Sequence, residues 1–159
     1  MALSHELIDF ARRLRIENPL LDEFSREWRS FNACYNEVAG TSERECIMNT
    51  IIEHFSEGDA ASILIKSSDA IAYFSQLPPG NMRKKHTDPS FRERATTDLQ
   101  IVNDSKNASV LRLAHIASVL YQLRCNLTHA GKDPFDPRDK QLIQFALPVL
   151  KSILAILLK

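Results

Sequence analysis

Residues 106–132, KNASVLRLAHIASVLYQLRCNLTHAGK, decide how this chain folds. Leu113, Ala117, Leu120 and Leu127 recur at helical spacing and share one stripe, which predicts a helix from Lys106 to His129. Gly131 supplies a C-terminal cap, and Pro134 and Pro137 bar continuation. The last turn and a half of that helix crowds together Arg124, Asn126 and His129. Arg124 is a permanent cation with a planar fork of donors. His129 is the side-chain type that trades protons near neutrality, and Asn126, three residues earlier, lies beside it on a helix surface. A polar cluster on an apolar segment is either a buried network that fixes the fold or a site.

The segments around it are also helical. Leu3, Leu7, Ile8, Phe10, Ala11 and Leu14 predict a first helix over Leu3 to Arg15. Asn18-Pro19 caps and starts a second, with Leu20, Phe24, Trp28, Phe31 and Tyr35 on one face and an end near Gly40. Ser42 and Glu45 are spaced as a capping box ahead of Ile47, Ile51, Ile52 and Phe55. After Gly58, Ile63, Ile71 and Phe74 suggest one helix through Leu77. The stretch Leu77 to Thr87, with Pro-Pro-Gly, is the clearest break. Asp88-Pro89 opens a helix to about Asp104, and Asp136-Pro137 opens the last, which Pro148 should kink. No useful period-two run and no internal repeat interrupts this pattern. Short connections imply antiparallel neighbours, so residues 1–159 are expected to form one all-α, antiparallel helical bundle.

With 159 residues, 44% hydrophobic and 25% charged, the chain suits one domain with a proper core. Its formal charge is zero, but residues 1–60 hold 12 acidic side chains against six Arg, and the remainder is basic. A bulk pull on nucleic acid is therefore absent. A local basic face remains open, densest at Arg83, Lys84, Lys85, His86, Arg92 and Arg94, although a solvated loop and helix face is the plainer reading of that run. Cys34, Cys46 and Cys125 are odd in number and far apart, which favours reduced thiols in a cytoplasmic protein. The charged N-terminal stretch does not read as a signal peptide. The apolar run Leu142 to Leu158 is interrupted by Gln144, Pro148, Lys151 and Ser152 and reads as a buried or interface helix rather than a membrane span.

Several chemistries can be set aside. There is no Gly-rich phosphate loop, nucleophile elbow or HExxH, and no metal or cofactor is expected. His5, His54, His86 and His115 lack partners at metal-ligand spacing, and Cys125 beside Arg124 reads as packing. What survives is Arg124 to His129. A proton-trading imidazole close to a fixed guanidinium suits proton movement around a phosphodiester while its charge is held. On an ideal helix the two side chains diverge by about 140°. Convergence on one phosphate needs Arg124 to reach across, or a second copy of the helix.

Arg124-Cys-Asn-Leu-Thr-His129 resembles the Arg-x4-6-His motif of the HEPN superfamily, and RCNLTHAGK is similar to the form in its bacterial, ApeA-like branch. Trp28-Arg-Ser-Phe-Asn-Ala-Cys-Tyr35 is similar to an aromatic, Asn-containing helix of that branch. The resemblance implies a helical bundle that dimerises with its motifs facing each other. It also implies metal-independent endoribonuclease activity, in which the ribose 2′-hydroxyl attacks its phosphodiester to leave a 2′,3′-cyclic phosphate and a 5′-hydroxyl. Arg124 would then hold the phosphate, His129 would act as general acid or base, and Asn126 would complete the catalytic set. Many active members place a polar residue directly after the Arg, whereas here Cys125 stands there and Asn126 follows.

The dimer is expected through the motif helix and the C-terminal helix, and RNA is expected over Arg83, Lys84, Lys85, Arg92, Arg94 and Lys132. A toxin or defence role, with an antitoxin or nucleotidyltransferase partner, fits the same superfamily. The alternative is a non-catalytic module that binds RNA or protein. The readings differ structurally: cleavage requires Arg124 and His129 exposed in a shared cleft, while a structural cluster would be buried and fully hydrogen-bonded within one chain.

Overall fold

The computed structural model describes residues 2–129 and 135–159, and among them finds eight helices and no strand. They are α1 (His5–Arg13), α2 (Pro19–Tyr35), α3 (Glu43–His54), α4 (Glu57–Lys66), α5 (Ser68–Gln76), α6 (Glu93–Asn103), α7 (Ser109–Leu127) and α8 (Pro137–Leu157). The all-α helical bundle is thus the observed architecture. Gly131, Lys132 and Pro134 lie outside the described residues.

Local chemistry starts most of these helices. Ser4, Asn18, Ser42 and Ser56 each accept a hydrogen bond from a backbone N–H three residues on, and Asp136 accepts from the Arg138 and Asp139 N–H groups. Each cap satisfies donors that the first turn leaves orphaned, at about 1 kcal/mol apiece. Glu45 does not close the expected capping box, because its carboxylate accepts from the Thr41 hydroxyl instead.

The helix expected after Gly58 is two helices. Gly58 lies within α4, which begins at Glu57, and the chain turns at Ser67 before α5. The helix expected from Asp88-Pro89 starts later, at Glu93. Asp88 instead folds its carboxylate onto the Ser90 N–H and hydroxyl, which makes a turn of the residues meant to lead the helix and holds its pKa below the usual carboxylate range.

α7 is the axis of the bundle. It packs against α3, α4, α6 and α8, and its buried residues run from Leu113 to Asn126 on every side of the helix. Each Leu or Ile sealed there contributes on the order of 1.5–3 kcal/mol over an exposed one. α2 supplies an aromatic wall of Phe24, Trp28, Phe31 and Tyr35, with edge-on contacts of 5.3 Å for Trp28–Phe31 and 5.2 Å for Phe31–Tyr35. α8 closes the other side of α2, and its helix runs on through Pro148. By length and composition α8 could also cross a membrane, but Leu142, Ile143, Ala146, Leu150, Ile153 and Leu154 are buried within the fold. α1 forms as expected, yet none of its residues is buried.

The Pro-Pro-Gly break is a seated loop. Gly80 lies so close to the Phe91 ring that a Cβ there would stand 2.1 Å from it, which only glycine avoids. The Asn81 N–H donates to the Phe91 carbonyl at 2.8 Å, Arg92 donates to the Pro78 carbonyl, and Arg138 of α8 donates to the Leu77 carbonyl.

Candidate functional site

Two sets of polar residues, on α7 and at its C-terminal end, face different ways. His115, Ser118, Gln122 and Asn126 follow helical spacing and form one stripe, turned into the bundle. Asp98 of α6, 1% exposed, is its anionic centre. One carboxylate oxygen meets His115 Nδ1 at 2.8 Å and the other accepts from the Ser118 hydroxyl at 2.7 Å. The Arg44 guanidinium of α3 lies 3.9 Å from Asp98 and donates to the Ser118 carbonyl at 3.0 Å and hydroxyl at 2.6 Å. Arg94 stands 3.8 Å from the same carboxylate.

The stripe continues without a gap. Arg44 reaches Gln122 Oε1 at 3.4 Å, and Gln122 Nε2 donates to Asn126 Oδ1 at 3.0 Å. Asn126, 7% exposed, then binds the seated loop on both sides: it accepts from the Met82 N–H at 3.2 Å and donates to the Gly80 carbonyl at 2.7 Å. Burial lowers the Arg44 pKa, and the nearby Arg94 adds to that effect while Asp98 opposes it. Arg44 also lies over the Tyr121 ring, 5.0 Å from its centre. Glu43 ties the adjoining helices together by accepting from Tyr35 at 2.7 Å and Tyr121 at 3.1 Å. Burial and that carboxylate push the Tyr35 phenol up to about 12.

Ser, His and Asp meet here, but not as a nucleophilic relay. Ser118 donates to Asp98 rather than to His115, so no imidazole is placed to take its proton. Sequence reasoning did not find this network. Its helical spacing on α7 was the available signal, and Arg44 and Asp98 lie too far off in the chain to be read as partners.

Arg124 and His129 form the other set. Arg124 is half-buried beside a groove of about 550 Å³ lined by Asp22, Phe24, Ser25, Arg26, Trp28, Arg29, Arg124, Leu127 and Thr128. Thr128 ends α7, its hydroxyl donating to the Cys125 carbonyl at 3.0 Å, and His129 follows, exposed, its N–H on the Asn126 carbonyl at 3.1 Å. Among the described residues, neither the guanidinium of Arg124 nor the imidazole of His129 makes a hydrogen bond or ion pair. The groove that holds Arg124 is not lined by His129.

The three residues grouped by the sequence therefore separate. On an ideal helix Arg124 and Asn126 point about 160° apart. Asn126 is drawn into the bundle as a structural tie, so its expected place beside the reacting groups is not where the fold puts it. The basic run divides likewise. Arg83, Lys84 and Lys85 are exposed, with Lys84 donating to Ser90 at 2.7 Å, whereas Arg92 is spent on Pro78 and Arg94 on Asp98. No group of three or more His, Cys, Asp or Glu suited to a metal ion occurs among the described residues. No family model, curated protein or solved structure matches this chain.

Proposed function

We propose that this chain is a cytoplasmic, metal-independent endoribonuclease that acts as a homodimer, with Arg124 and His129 as the groups that meet the phosphodiester. One observation supports this above the others: on a helix whose remaining polar stripe is bonded inward, Arg124 and His129 stand open and unpaired at the exposed end. An unpaired guanidinium at the rim of a groove keeps its fork of donors free for an anion.

In this reading the ribose 2′-hydroxyl loses its proton and attacks the adjacent phosphorus, the P–O5′ bond breaks, and the 5′-oxygen takes up a proton. Arg124 binds the non-bridging oxygens and holds the charge that builds on them. His129 carries one of the two protons. Because His129 does not line the Arg124 groove of its own chain, the imidazole comes from a second copy docked end to end on α7. A toxin or defence setting suits such an enzyme, with an antitoxin or nucleotidyltransferase as partner.

The separation of His129 from that groove, and the commitment of Asn126 to the loop, favour a second reading: a non-catalytic HEPN module that binds RNA or a protein. Incubation of the purified protein with single-stranded and structured RNA in EDTA, with product ends mapped, decides between them. Cyclic-phosphate ends that vanish in Arg124→Ala and His129→Ala are the expected result. Intact RNA with a folded wild type would leave the binding module.

A further inference from the structure

Two arginines of α2, Arg26 and Arg29, line the same groove as Arg124. Asp22, Ser25, Arg26 and Arg29 recur at three- and four-residue steps, so one face of α2 forms the wall opposite Arg124 and Thr128. Among the described residues Arg26, Arg29 and Arg124 all lack a hydrogen bond or ion pair. A nearby acid of α2, Glu23, is held by Lys151 instead. Three unpaired guanidinium groups against one carboxylate leave the groove net positive in a half of the chain that is net acidic. Its floor is apolar, from Phe24, Trp28 and Leu127, while Ser25 adds a hydroxyl to the lining. Arg26 and Arg29 are about 4.5 Å apart along the helix axis, close enough for both forks to serve adjacent phosphates.

We infer that Arg26 and Arg29, with Arg124, bind the phosphodiester backbone of single-stranded RNA, and that the strand runs along α2 rather than over the stretch at residues 83–94. This rests on the ribonuclease reading only in its choice of RNA as the anion. That stretch is the weaker track because Arg92 and Arg94 are already bound within the protein. Asp22, at the start of α2, is the carboxylate of the lining and repels the backbone.

Fluorescence anisotropy with a labelled single-stranded RNA, titrated over a range of salt, tests this. The Arg26→Ala/Arg29→Ala double variant should bind at least about tenfold more weakly, with the slope of log K against log salt reduced by roughly 1.4, since each lost contact to a single strand removes about 0.7. Asp22→Asn should bind more tightly, which a merely structural role would not produce. Arg83→Ala/Lys85→Ala should stay within about twofold of wild type. Urea denaturation confirms that each variant is folded. Unchanged affinity in the α2 variant, or a loss confined to the loop variant, overturns the inference. A wild type that ignores RNA yet binds polyglutamate through the same arginines also overturns it, in favour of an acidic protein partner. If the wild type binds RNA through α2 without cutting it, the track stands and the ribonuclease reading falls. If it cuts RNA and the α2 variant cuts and binds equally well, the track alone falls.

Discussion

The polar stripe of α7 and the polar pair at its C-terminal end, Arg124 and His129, obey opposite rules. Along His115, Ser118, Gln122 and Asn126, hydrogen bonds link α3, α6 and the seated loop into one piece. At Arg124 and His129, within a turn of that stripe's end, the protein makes no hydrogen bond or ion pair to either side chain among the described residues. Burial separates the two. A group removed from water must be satisfied by the chain itself, whereas one left at the rim can wait for a ligand. Residue type alone would have put Asn126 in the second set.

The largest expected effect lies at the network's centre. Asp98→Ala leaves half-buried Arg44 without its counter-charge and strips a partner from His115 and Ser118, so unfolding in urea should show a loss of about 3–5 kcal/mol. A loss under 1 kcal/mol would mean that water or relaxation replaces the carboxylate. Asn126→Ala comes next, at roughly 2–3 kcal/mol, because the Gly80 carbonyl and the Met82 N–H lose their partner together. If stability held and only activity fell, Asn126 would belong with the open set after all. Arg124→Ala and His129→Ala should each stay within about 0.5 kcal/mol of wild type, the usual range for rim side chains without partners.

A subtler difference appears with pH. Tyr35 has its phenol raised from the ordinary 10.0 to about 12 in the fold. Its neutral form is favoured when folded, so its contribution is complete below pH 10 and is lost as pH climbs through about 12. Denaturation midpoints should fall over that window, and Tyr35→Phe should flatten the fall. An unchanged pH profile in Tyr35→Phe would assign the loss elsewhere, with Tyr121, also raised chiefly by burial, the next phenol to test.

Much of the fold was legible because its determinants are local. Asn18-Pro19, Ser42 and Asp136-Pro137 announce helix starts within three residues, and the aromatic face of α2 repeats at helical spacing. Two helix boundaries were misread where a short polar turn replaced a helical one, at Ser67 and at Asp88 to Ser90. The network was not legible because its partners are remote: Arg44 and Ser118 are 74 residues apart, and Asp98 reads as an ordinary surface acid until α6 is laid on α7. The groove was hidden for the same reason, since Arg26 and Arg29 gain meaning only once α2 lies beside the end of α7.

Cleavage by the proposed dimer requires Arg124 and His129 to work together from different copies. An equimolar mixture of Arg124→Ala and His129→Ala, unfolded and refolded together, tests this against RNA in EDTA. Random pairing of a symmetric dimer puts one intact composite site in half the dimers, so the mixture should recover about a quarter of wild-type cleavage although each variant alone is silent. A mixture as silent as its components, with dimers present and wild type active, would contradict the account and place both groups within one chain.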